Sequence, residues 1–211
     1  VERTIDMIGL IILIFVLFIS YDVPFWLLRS AVFFSGFIII GSALLFWVAF
    51  KYDLWLKMLG TYDFFQIGMR KKFLDIFKSF LIGLSALRKV KKIKIIIFNS
   101  VLLWAIYWFI TFLCVYALGI KLSLLEVGVL MVAVTMIIIL PAAPGFIGTY
   151  HAGAVMMLIE VFGVSQASAQ AYAIINHAVG FLPLAVIGAI YFFRSSMTFK
   201  EVKSIEISSS P

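Results

Sequence analysis

Leu140-Pro141-Ala142-Ala143-Pro144-Gly145-Phe146-Ile147-Gly148-Thr149-Tyr150-His151 lies between two apolar runs, Met131 to Leu140 and Ala152 to Val161. How this stretch is read decides how the chain is laid out. Proline lacks a backbone donor and clashes with the carbonyl four residues back, so Pro141 and Pro144 are expected to break a helix and act as hinges. Gly145 and Gly148 let the chain turn and restart. Irregular backbone inside hydrocarbon survives only where protein buries it or water lines it. Such breaks in transporters mark substrate sites near mid-depth. The alternative is a surface loop joining two ordinary helices, and the stretch by itself leaves both open.

Segment lengths sharpen the choice. Val127 to Leu140 spans about 21 Å as a helix and Phe146 to Phe162 about 25 Å, against a hydrocarbon core of roughly 30 Å. They fit the two halves of one re-entrant hairpin, or two thin, tilted crossings. Both arrangements return the chain to the same side, so charge does not separate them.

Composition settles the class. The 211 residues are 64% hydrophobic and 13% charged, with mean hydropathy +1.17. That leaves too little polar surface to cover a soluble domain of this size. An all-α, polytopic helical membrane protein is expected, organised as one transmembrane domain over residues 1–211. The 22 Phe and 5 Trp suit lipid-facing and interfacial positions. Cys114 is the one cysteine, so there is no disulfide framework. The chain starts on Val1 with no basic leader, which gives no sign of a cleavable signal and leads us to expect the beginning of a longer protein upstream.

Full spans are expected at about 4–20, 25–50, 95–118 and 170–193. Residues 25–50 reach about 39 Å if helical. Arg29, in the first turn of that run, is expected to snorkel to the headgroups. Residues 51–94 hold 11 of the 17 Lys and Arg against three Asp, a net +8, leaving −1 for the rest of the chain. Basic loops stay cytoplasmic, which places this region and the polar tail 195–211 there. Phe73, Phe77, Phe80, Leu84 and Leu87 recur at helical spacing, predicting an amphipathic helix on an anionic leaflet. Basic charge in a loop between spans is topological, so no nucleic-acid partner is expected.

The polar residues near the break supply the candidate site. The amides from Phe146 through Thr149 open a new helix, and a helix start favours an anion. Thr149 and Tyr150 add hydroxyls. His151 either meets a headgroup phosphate or hydrogen-bonds a carbonyl freed by Pro141 or Pro144. Asn176 and His177 sit within the last span ahead of Pro183, which loosens that helix by removing a hydrogen bond to Val179. Adjacent polar residues at such depth need partners, and an ionisable one there is a functional candidate. Ala167, Ala169, Ala171 and Ala173 lead us to expect that this helix packs tightly against the broken pair. The candidate headgroup-binding set is therefore Gly145, Phe146, Ile147, Gly148, Thr149, Tyr150, His151, Asn176 and His177. Two histidines without a nearby carboxylate make a poor zinc site. No cofactor or metal is expected, and no nucleotide loop or serine elbow is present that would read as catalytic machinery.

Pro141 to His151, followed by Ala152 to Leu158 and the Phe162-Gly163-Val164-Ser165 turn, resembles the membrane region of the lysylphosphatidylglycerol synthases, a flippase-like family. Glu2-Arg3-Thr4-Ile5-Asp6 is similar to that family's Glu-Arg-x-x-Asp signature at a helix start. Many relatives carry Glu where His151 stands. The resemblance implies further membrane helices upstream and, in the full synthases, a separate soluble domain that performs the aminoacyl transfer. That domain is absent from these 211 residues, so lysyltransferase activity is not expected of this polypeptide. The leading expectation is binding or translocation of an anionic phospholipid or a polyprenyl-phosphate lipid in the cell membrane. The alternative is a component that presents lipid to a soluble aminoacyl- or glycosyl-transferring partner. A scaffold with no transport of its own, and a homo-oligomer, also stay open.

Overall fold

The structure is a computed structural model and describes residues 2–51, 93–139 and 144–194. Most of the basic region (52–92), Pro141 of the expected hinge, and the tail from 195 lie outside the described residues. Among the described residues there are six α-helices and no strand. They are α1 (Glu2–Ser20), α2 (Phe25–Phe50), α3 (Ile93–Ala117), α4 (Leu124–Ile138), α5 (Thr149–Glu160) and α6 (Gln166–Arg194). The all-α membrane class read from composition holds.

Three stretches are long and apolar enough to cross a bilayer: Phe25–Val48, Ile93–Ala117 and Gln166–Arg194. The apolar part of α1, Thr4–Ser20, is shorter. In α2 and α3 the apolar residues run all round the helix, with Phe33, Phe37, Phe98 and Val101 exposed. Such helices find their solvent in lipid. Contacts divide the chain into two compact units: one takes Glu2–Phe37 with Lys94–Gly188, the other Ile38–Ile93 with Ala189–Pro211 and Val1. The first unit contains the core and the candidate site.

The centre of that unit is α4, although it has only 15 residues and is about 22 Å long. Every residue from Val127 through Val134 is buried, on all faces of the helix. Its start is fixed by a capping box. The Ser123 side chain accepts from the Glu126 amide, while Glu126 accepts from the Ser123 amide at 2.7 Å. Glu126 also accepts from the Tyr21 hydroxyl at 3.3 Å, tying the α1–α2 connection to the same end of α4.

Among the described helices, the close backbone approaches are α4 with α5 and α1 with α4. Glycines permit them: Gly128 faces the Trp108 ring and Leu17, and Gly153 faces Ile137. The alanines of α6 play a smaller part than expected. Ala169 and Ala173 are buried, but Ala167 is exposed, because alternate residues of a helix point about 200° apart. Tyr150 of α5 stacks on His177 of α6.

Candidate functional site

Backbone geometry makes the break between α4 and α5 explicit. Pro144–Phe146 form a single 3₁₀ turn, with Gly145 at φ 70° and Gly148 at φ 90°. Phe146 also lies in the left-handed region at φ 56°, the one non-glycine residue to do so among the described residues. A side chain there is strained, so the surroundings must hold it in place. The helix restarts at Thr149, capped by Gly148, which offers no side-chain hydrogen bond. The first intrahelical bond runs from the Ala152 amide to the Gly148 carbonyl at 2.8 Å. The amides ahead of it in the first turn have no helical acceptor.

The last long helix meets this turn about two-fifths of the way along its length. His177 Nε2 lies 2.8 Å from the Gly145 carbonyl. A carbonyl can only accept, so the proton of this bond sits on Nε2. His177 is eleven residues past the start of α6, about 17 Å along an axis of about 43 Å. One residue earlier, the Asn176 amide donates to the Tyr150 hydroxyl. The Tyr172 hydroxyl interacts with those of Tyr150 and Thr111.

Rings stack along the same line. Tyr150 and His177 stack with centroids 5.1 Å apart, and His177 and Phe181 at 5.7 Å. His151 meets the His177 ring edge-on at 4.8 Å. It is His177, not His151, that meets a carbonyl of the turn, that of Gly145. Among the described residues no hydrogen bond holds the His151 ring.

Beside this cluster is a cavity of about 420 Å³ between α3, α4, α6 and the turn. Gly145, Phe146, Tyr150, Asn176 and His177 of the sequence-derived set line it. Ile147 and Gly148 are exposed, and they, Thr149 and His151 are not part of its lining. The cavity also uses residues that sequence reasoning did not single out as a site: Trp104, Tyr107 and Thr111 from α3, Thr135 from α4, and Tyr172 and Phe181 from α6. Helical spacing carries the missing signal. Residues 104, 107 and 111 share one face of α3, and 172, 176 and 180 share one face of α6. Among the described residues, no Lys, Arg, Asp or Glu lines this cavity. Asn176 Oδ1 is buried there with no hydrogen-bond partner among the described residues. Among the described residues no group of three or more His, Cys, Asp or Glu could hold a metal ion.

A helical membrane protein with a short, interrupted helix pair bordering a polar-lipped cavity is the class these features define. The sequence model for the lysylphosphatidylglycerol synthase TM region matches residues 1–188, and the chain belongs to that family. No curated protein and no solved structure matches it. Family membership makes this a membrane protein of a lipid-related class.

Proposed function

We propose that this protein binds an anionic lipid, a phospholipid or a polyprenyl phosphate, and carries its headgroup across the cell membrane through the cavity beside Gly145. The observation that carries this is the uncapped amino end of α5, whose preceding turn lines the cavity. Free first-turn amides and the helix dipole favour negative charge without a basic side chain. A strained Phe146 at the same place fits a site where conformation is held for function. Helices α4 and α5, about 22 and 18 Å long, suit a re-entrant hairpin with its apex near mid-depth. His151, edge-on to His177, offers a further donor to phosphate, and Tyr150 and Thr149 next to it in the chain add hydroxyls. The net +8 of residues 51–94 supports a cytoplasmic location for that region and for the carboxyl end.

The test is reconstitution in liposomes with a headgroup-labelled phosphatidylglycerol and a dithionite-type probe of leaflet exposure. Movement between leaflets in the wild type, lost in His151→Ala and His177→Ala variants that remain folded, supports translocation. A second reading rests on the family's name, which describes the membrane part of a synthase. In it, the same cavity presents lipid to a soluble transferase. No movement in liposomes, with aminoacyl or glycosyl transfer appearing on addition of a soluble partner, supports that reading instead.

A further inference from the structure

A second concavity lies across α4 from the first. The headgroup cavity touches α4 through Met131, Val134, Thr135 and Ile138, whereas this groove touches it through Ala133, Met136, Ile137 and Ile139. Ala133, Met136 and Ile137 are each two residues, about 200° around the helix, from Met131, Val134 and Thr135, so α4 forms a wall between separate spaces. The groove is larger, about 760 Å³, within the range of sites that hold small molecules. Its other walls are the first half of α2 and the Met156–Met157 edge of α5. It lies within one compact unit of the chain.

Its chemistry is asymmetric. One end is formed by Trp26, Arg29 and Ser30, and the rest is apolar, mostly Phe, Met and Ile, down to Phe37 and Ile139. Among the described residues, Arg29 is the only ionisable group in the lining. Its guanidinium sits 5.0 Å from the centroid of the Phe25 ring, and among the described residues no carboxylate pairs with it. A cation–π contact leaves the outer N–H donors of the fork open to an anion. Ser30 does not compete, since its hydroxyl donates to the Trp26 carbonyl at 2.8 Å. From Arg29 to Phe37 the helix rises about 12 Å, all of it bordered by apolar side chains. Flexible methionines on α4 and α5 suit a wall that must fit a variable hydrocarbon.

We propose that this groove is a binding site for one diacyl phospholipid with an anionic headgroup. The phosphate is held by Arg29, and an acyl chain lies between α2 and the α4–α5 pair. The site is independent of the headgroup cavity: it takes the lipid by tail and phosphate together, on the far side of α4. Arg29 is thus a recognition residue as well as a snorkelling one.

The test uses phosphatidylglycerol carrying a diazirine midway along one acyl chain, with the purified full chain in phosphatidylcholine nanodiscs and adducts mapped by mass spectrometry. Adducts should concentrate on Phe33, Phe37, Met136 and Met156. Arg29→Gln should lower them about five-fold, the upper end of what losing one exposed charge pair costs. Arg29→Lys should retain most of the yield. Ser30→Trp, which keeps the charge but obstructs the groove, should also lower it. Excess unlabelled phosphatidylglycerol should compete, and phosphatidylcholine should not. Equal labelling along the exposed faces of α3 and α6, or no change in Arg29→Gln, would overturn the site. Equal competition by phosphatidylcholine would overturn the role of the phosphate, and an unchanged yield in Ser30→Trp would overturn the placement of the chain.

Discussion

His177 Nε2 and the Gly145 carbonyl, 2.8 Å apart, join the middle of the last long helix to the apex of the broken pair. One hydrogen bond therefore fixes where the interruption sits. The stacked Tyr150, His177 and Phe181 rings reinforce it. Replacing His177 by Ala removes the donor and opens the stack. The expected cost is about 1–3 kcal/mol for leaving the partly buried carbonyl unpaired. Thermal unfolding in detergent should show the loss, and hydrogen exchange should show faster opening of the amides from Phe146 to His151. His177→Gln, which can still donate, should recover part of both.

Glycine packing around α4 gives a ranked pair of predictions. A methyl on Gly128 would lie 2.5 Å from Trp108 Cζ2, and that indole is held by its Nε1 donating to the Leu124 carbonyl at 3.0 Å. A methyl on Gly153 would meet Ile137 at Cδ1, 2.9 Å, and Cγ2, 3.1 Å, a less severe overlap than the 2.5 Å at Trp108. Gly128→Ala should therefore cost about 1–3 kcal/mol, as overpacking does, and Gly153→Ala distinctly less. Unfolding of both variants side by side checks the order; equal losses would mean that Trp108 can swing aside.

The start of α4 offers a third comparison. Ser123→Ala removes the cap and should cost about 0.5–2 kcal/mol. Tyr21→Phe removes only a 3.3 Å bond to Glu126 and should cost less. Burial first, and then the Glu126 carboxylate, raise the Tyr21 phenol above its ordinary value. A group raised on folding contributes stability that is complete below its unfolded pKa and fades as pH rises through the folded one. Tyr21 should therefore ionise at higher pH in the folded protein than in the denatured chain. The difference between wild-type and Tyr21→Phe ultraviolet titrations isolates it.

Orientation can be tested without disturbing the site. Cys114 is buried, so an impermeant maleimide should leave the wild type unlabelled. A cysteine placed at Lys57 or Lys89 should react in inside-out vesicles and stay unlabelled in intact cells. Labelling from outside intact cells would reverse the assigned topology.

The fold was legible where a single physical constraint acts on neighbouring residues. Apolar composition leaves lipid as the only solvent for α2, α3 and α6, and proline and glycine chemistry marks Pro144, Gly145 and Gly148. Asn176 and His177 stood out because polar pairs at such positions need partners, and the partners are Tyr150 and Gly145. The cavity's remaining walls were not legible in that way. Trp104, Tyr107 and Tyr172 are amphipathic aromatics, which composition alone assigns to lipid contact or the interface. Whether such a ring faces lipid or a cavity depends on helix rotation, and α2 and α3, apolar all round, carry no amphipathic stripe to set it. The central role of α4 was hidden for a related reason: a 15-residue apolar helix looks the same whether it is short of a span or enclosed by its neighbours.

The central claim is that the amino end of α5 receives the negative headgroup. Its most direct test is photolabelling with phosphatidylglycerol carrying the reactive group on the headgroup itself, in nanodiscs of the full chain. Adducts on Phe146, Tyr150, His151 and His177, displaced by unlabelled anionic lipid, are the predicted result. Adducts confined to the lipid-facing residues of α2 and α3, with none on residues 144–151 or 172–181, would contradict it.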